Sequence, residues 1–118
     1  PLFLRKERAA VQQTKLKIEQ TTFERQDQMA TLTAKLLAAR AAYLNAQKQL
    51  VIYTQNAAST QQLLAAELEL FSTGESSLFM VNMRETVAFQ AALKVFEYQS
   101  KCEQLWLKWE FFQASLVR

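Results

Sequence analysis

The chain has 118 residues with 14 basic and 11 acidic side chains, no histidine and one cysteine, Cys102. This length allows one domain at most. The net charge is only +3 and the basic residues are scattered, which argues against a nucleic-acid-binding face. A lone cysteine excludes an internal disulfide and disfavours a thiolate metal site.

The chain starts at Pro1 and shows no signal peptide and no run of the roughly 18 apolar residues that a transmembrane helix needs. We therefore interpret it as a soluble fragment of a longer protein. Pro1 is the only proline and Gly74 the only glycine, whereas alanine and glutamine are abundant. This composition is typical of long helices and coiled coils.

The first predicted helix covers about residues 3–71, which contain no helix breaker. Up to Gln28 it is mostly polar, with Leu4, Val11 and Ile18 seven residues apart. Beyond Gln28, steps of three and four indicate a heptad seam. The seam residues are Met29, Leu32, Leu36, Ala39, Tyr43, Ala46, Leu50, Tyr53, Ala57, Thr60, Leu64, Leu68 and Phe71. A second stripe beside the seam predicts a further neighbouring helix. Its residues are Ala30, Ala34, Leu37, Ala41, Leu44, Val51, Ala58 and Ala65.

The segment Ser72-Thr73-Gly74-Glu75-Ser76-Ser77 is the predicted tip between two helices. Gly74 can adopt the left-handed conformation that closes a helix. Ser76 or Ser77 can cap the next helix, because a serine oxygen accepts a hydrogen bond from an unpaired backbone N–H. Glu75 suits the positive end of that helix.

The second predicted helix covers about residues 77–117 and has the same two-stripe pattern. Cys102 falls within its seam, which predicts a buried structural cysteine. The seam residues are Ala88, Ala91, Val95, Tyr98, Cys102, Leu105, Trp109, Phe112 and Leu116. The flanking stripe consists of Phe89, Leu93, Phe96, Leu107 and Phe111.

These elements predict an all-α fold: a single long antiparallel helical hairpin, or coiled coil, spanning residues 1–118. Folding at Gly74 pairs residues whose numbers add to about 149, so Trp109 is expected opposite Arg40 and Phe112 opposite Leu37. The second helix then ends near Leu32, and the polar start of the first helix overhangs it. The first helix alone should be roughly 100 Å long.

The sequence shows no nucleophile–base pair, no cofactor motif and no cluster of metal ligands. No enzymatic activity, cofactor or metal is therefore predicted. The carboxylates Asp27, Glu67, Glu69 and Glu85 are interpreted as part of a solvated helix face.

The tip and its flanks carry a family resemblance. The segment reads Leu70-Phe71-Ser72-Thr73-Gly74-Glu75-Ser76-Ser77-Leu78-Phe79-Met80-Val81-Asn82-Met83-Arg84-Glu85. It resembles the periplasmic tip of the TolC family of outer-membrane efflux proteins, which shares the glycine, the small residue before Leu78 and the later valine. Pro1-Leu2-Phe3, followed by basic residues, is similar to the point where that family's chain leaves an outer-membrane strand.

The resemblance implies a homotrimeric channel whose helices form a periplasmic tunnel. The tip would meet a periplasmic adaptor, or membrane fusion, protein that is joined to an inner-membrane pump. The implied adaptor-docking residues are Gly74, Glu75, Ser76, Ser77, Leu78 and Val81. Many members carry two aspartates that ring the aperture, and here Met80 and Met83 occupy their positions. We therefore expect either an apolar constriction at these methionines or a gate formed by Asn82 or Arg84.

An alternative class is a coiled-coil hairpin from a periplasmic adaptor or from a cytoplasmic scaffold protein. Two stripes per helix favour a tunnel wall over such an arm, because a two-stranded arm needs one seam. The isolated fragment is expected to self-associate, with a four-helix dimer as the first choice, because one facing helix cannot cover Trp106, Trp109, Phe111 and Phe112 together.

Overall fold

A computed structural model describes residues 1–117 and shows an all-α hairpin. Helix α1 covers Leu2–Ser72 and helix α2 covers Leu78–Val117, joined by a short tip at residues 73–77. Residues 1–117 contain no strand. The chain measures 107 × 23 × 13 Å. The predicted long antiparallel hairpin is therefore confirmed, and each helix begins and ends within one residue of its predicted bounds.

The helices pack along a narrow seam of mostly small side chains. Ala39 and Ala46 of α1 are buried, as are Ala88, Ala91 and Cys102 of α2. Small residues let the two backbones approach closely, and larger side chains between them are half-buried. The seam predicted for α2 is observed as expected, including the buried cysteine.

The seam of α1 differs from the prediction at both ends. Met29 is exposed, and near the tip Leu68 and Phe71 are 44% and 43% exposed. The buried residue after Leu64 is Glu67, which is only 8% exposed. The seam therefore continues from Leu64 by three residues to Glu67, rather than by four residues to Leu68. The interpretation of Glu67 as part of a solvated face was wrong, since this carboxylate lies between the helices.

Aromatic pairs fix how the helices are aligned. Tyr43 stacks on Trp109 with ring centroids 5.8 Å apart, and Tyr53 contacts Tyr98 at 4.5 Å. Trp109 therefore lies opposite Tyr43 and not opposite Arg40, a correction of almost one helical turn. The reason is that Gly74 belongs to the cap that follows the end of α1 at Ser72, rather than marking the middle of the tip, so the turn is centred one to two residues later.

Helix α1 extends well beyond the end of α2. It has 71 residues against 40 in α2, and every residue from 1 to 31 is exposed. We call residues 2–31 the overhang. Three of its threonine hydroxyls donate to carbonyls four residues earlier, as Thr14 does to Ala10 at 2.9 Å, so these hydroxyls are satisfied locally.

The second stripe of each helix lies on the side turned away from the hairpin partner. At 100° per residue, its positions are centred about 150° around the axis from the seam, rather than directly beside it. We call these stripes the α1 edge and the α2 edge. The α1 edge comprises Ala30, Ala34, Leu37, Ala41, Leu44, Val51, Ala58 and Ala65, all exposed. The α2 edge comprises Phe89, Leu93, Phe96, Leu107 and Phe111, which are 51–67% exposed.

Candidate functional site: the hairpin tip

The end of α1 is closed by a glycine-based cap. Gly74 has a φ of 81°, in the left-handed region, as predicted. Its N–H donates to the carbonyl of Phe71 at 3.1 Å, and the N–H of Glu75 donates to that of Leu70 at 2.9 Å. These two bonds form a Schellman motif, which satisfies carbonyls at the helix end that would otherwise lack partners. No heavy atom lies within 4 Å of a Cβ placed on Gly74, so the backbone conformation alone demands glycine.

The start of α2 is capped by Ser77. Its Oγ accepts a hydrogen bond from the Met80 N–H at 3.3 Å, and its carbonyl accepts from the Val81 N–H at 3.1 Å. Of the two serines considered from the sequence, Ser77 therefore makes the cap. Ser76 instead donates its hydroxyl hydrogen to Oε1 of Glu67, nine residues earlier on α1.

The six residues implied as a docking tip divide into two groups. Gly74, Glu75, Ser77 and Leu78 are exposed at the apex, where a partner can reach them. Val81 is 4% exposed and lies in the seam against α1, and Ser76 is half-buried. Within this chain, the apex presents a small polar turn followed by the exposed apolar side chains of Leu78 and Phe79.

The four residues considered for a constriction lie in the first two turns of α2. Met80 and Arg84 are half-buried on the side that faces α1, whereas Asn82 and Met83 are exposed. Because consecutive helical residues point about 100° apart, the four side chains do not share one face of the helix. Arg84 is also engaged within the hairpin, since its Nε lies 3.4 Å from Oε2 of Glu67.

A cluster of Glu67, Ser76 and Arg84 is the feature of the tip that sequence reasoning missed. Each carboxylate oxygen of Glu67 accepts one hydrogen bond, Oε1 from Ser76 and Oε2 from Arg84. The signal was present in the spacing, because Glu67 is three residues after Leu64 and Arg84 four before Ala88. Both charged residues therefore occupy seam positions, but the more apolar Leu68 was preferred for the seam.

A second polar group lies on the surface midway along the hairpin. Lys94 donates to Glu97 at 2.7 Å, and this hydrogen bond raises the pKa of Lys94. A hydrogen bond with Tyr98 raises the pKa of Tyr53 above its usual value, and the negative charge that Tyr98 itself would carry adds to the effect. Tyr53, Lys94 and Glu97 border an open groove between the helices, whose lining residues form no arrangement of a nucleophile and a base.

The remaining carboxylates considered from the sequence, Asp27, Glu69 and Glu85, are exposed. Among residues 1–117, no three histidine, cysteine, aspartate or glutamate side chains come together as a potential metal site. Within the same range, neither helix is apolar enough over a sufficient length to cross a membrane. The cluster at the tip is thus the most specific polar arrangement that we find in the hairpin.

Comparison of the chain with protein-family models, with curated proteins and with solved structures finds no match.

Proposed function

We propose that this hairpin forms part of the wall of the periplasmic α-helical tunnel of a TolC-like outer-membrane efflux channel. The observation that carries the proposal is the pair of exposed apolar edges. A two-stranded coiled-coil arm needs one apolar seam. A helix within a closed wall has a neighbour on either side and needs apolar residues on both faces, as the α1 edge and the α2 edge provide.

The two edges differ in side-chain size, and this difference favours a wall. The α1 edge is rich in alanine, for example Ala41 and Ala58, whereas the α2 edge carries Phe89 and Phe96. Large side chains pack well into a surface lined by small ones. Such unlike edges favour head-to-tail contact between successive hairpins, and contacts of this kind close into rings when the rotation allows. A homotrimeric channel is the form that we propose.

In this proposal the hairpin is a passive conduit element, without catalysis or a cofactor. Its tip meets a periplasmic adaptor protein that is coupled to an inner-membrane pump. The exposed apex residues Gly74, Glu75, Ser77 and Leu78 are the docking candidates that a partner can reach directly. The family resemblance of the tip sequence supports the assignment, and the exposed apex is compatible with it.

A second candidate is a coiled-coil arm of a periplasmic adaptor or of a cytoplasmic scaffold. The narrow shape of 107 × 23 × 13 Å favours it, because a long two-helix arm has these proportions. An arm of this kind would leave both edges in water. Exposing side chains as large as Phe89 and Phe96 forfeits roughly 1.5–3 kcal/mol each, which weighs against this candidate.

Cell fractionation of the full-length parent protein separates the two candidates. We expect it in the outer membrane, as a trimer in mild detergent. A cross-linker attached at Leu78→Cys should capture an adaptor protein, whereas the matched label at Gln13→Cys, on the overhang, should not. Both variants carry Cys102→Ser. Recovery in the cytosol would reject the channel proposal. Recovery in the inner-membrane fraction, as part of an anchored adaptor protein, would reject it as well.

A further inference from the structure

Glu67 is the only charged residue among those buried in the described hairpin. It occupies a seam position between Leu64 and the tip, where the heptad pattern calls for an apolar side chain. A carboxylate taken out of water is costly unless hydrogen bonds and an opposite charge compensate it. The structure supplies both, a hydroxyl donor from Ser76 and a guanidinium from Arg84.

The two donors come from different segments of the chain. Ser76 belongs to the tip and Arg84 to the second turn of α2, nine and 17 residues beyond Glu67. One carboxylate therefore joins the last turns of α1, the tip and the start of α2. Arg84 keeps 36% of its side chain exposed, whereas Glu67 keeps only 10%. Without its donors, the Glu67 carboxylate would stay buried and uncompensated. Without its acceptor, the Arg84 guanidinium could still be solvated.

The aromatic pairs Tyr43–Trp109 and Tyr53–Tyr98 align the middle and the open end of the hairpin. Between Tyr53 and the tip no aromatic pair crosses the seam, and a slip of one heptad there would keep the apolar seam positions in phase. The same slip would place Ala91 or Ser77 where Arg84 stands, and neither can neutralise a buried carboxylate. Buried polar residues in coiled coils are known to select one register in this way.

We propose that Glu67 is a positioning residue that fixes the register of the two helices at the tip end of the hairpin and holds the tip against α1 through Ser76 and Arg84. The inference concerns the hairpin itself and holds for a channel wall and for a coiled-coil arm alike. It also gives Arg84 a role inside the hairpin, independent of any gate.

Thermal unfolding of the 118-residue chain tests the energetic half of the proposal. We expect Arg84→Gln to lower the Tm by about 5 °C or more, because it leaves a buried carboxylate short of its charged donor. Glu67→Gln should lower the Tm less, since Arg84 can turn to water. The matched control Glu69→Gln, an exposed carboxylate two residues away, should change the Tm by about 2 °C or less. Equal effects of Arg84→Gln and Glu69→Gln would overturn the proposal.

Spin labels test the register. Labels at Lys48→Cys and Gln90→Cys, in a Cys102→Ser background, report the axial offset between the helices, and a slip of one heptad changes that offset by about 10 Å. The parent sequence should give one narrow distance distribution. Combining Glu67→Leu with Arg84→Leu should preserve the Tm but split or broaden the distribution. A single unchanged distribution in this double variant would show that the register is set elsewhere.

Discussion

Tyr43 and Trp109 stack across the seam with ring centroids 5.8 Å apart and an interplanar angle of 25°. The pair lies near the open end of the hairpin, far from the tip. Beyond it, α2 continues for only two further turns, and α1 continues as the overhang. This stack is therefore the last large aromatic contact between the helices before they separate, and it secures the end that the tip does not tether.

We expect Tyr43→Ala and Trp109→Ala each to destabilise the hairpin, with a coupling free energy of about 0.5–1.5 kcal/mol between them. A double-mutant cycle from denaturant unfolding measures this coupling. The control cycle combines Tyr43→Ala with Phe96→Ala, on the outward α2 edge. Their changes in the free energy of unfolding should be additive. Additivity of the Tyr43 and Trp109 changes would contradict the observed stacking.

Gly74→Ala should destabilise the hairpin by about 1 kcal/mol, because the left-handed backbone conformation is strained for alanine and unstrained for glycine. Gly74→Asn should recover part of this loss, since asparagine tolerates that region better. Thr73→Ala, at a residue whose φ of −88° is negative, is the neighbouring control. Denaturant midpoints give the comparison, and an alanine variant as stable as the parent would argue against strain at Gly74.

The isolated chain should self-associate through its exposed edges. We expect sedimentation equilibrium at micromolar concentration to show an oligomer, with a four-helix dimer as the first expectation. Phe89→Glu with Phe96→Glu should shift it toward monomer, because two charges then replace large apolar side chains on the α2 edge. Gln99→Glu with Gln113→Glu adds the same charge to exposed polar positions outside the α2 edge and should leave association unchanged. A parent chain that is monomeric and unfolds in one sharp transition would refute this prediction.

The raised pKa of Tyr53 predicts a loss of stability at alkaline pH. Since the folded state favours the neutral phenol, its contribution is complete below the unfolded pKa of about 10 and is lost as pH rises through the higher folded value. Tyr98→Phe removes the main cause and should bring the titration of Tyr53 closer to its usual range. Absorbance of tyrosinate against pH measures this, with Tyr43→Phe as the control for the third tyrosine.

Much of the fold was accessible from sequence because one rule governs nearly all of it. Without glycine or proline, helices continue, and at Gly74 the chain turns. The alignment of the helices was less accessible, since the position of Trp109 depends on which residues of the tip belong to the cap. The cluster at the tip was missed for another reason: a pattern of apolar residues favours Leu68 over Glu67, and the partners that make a buried carboxylate acceptable become visible only once the chain is folded.

The shared seven-residue period of the seam and the edges restricts how the length of this hairpin can change. Inserting seven residues into α1 near Ala46, with seven into α2 near Leu105, would lengthen the reach by about 10 Å and keep every apolar face in phase. An insertion of five or six residues would rotate the outward faces relative to the seam. Natural variation in the reach of such hairpins should therefore come in matched steps of one heptad on both helices.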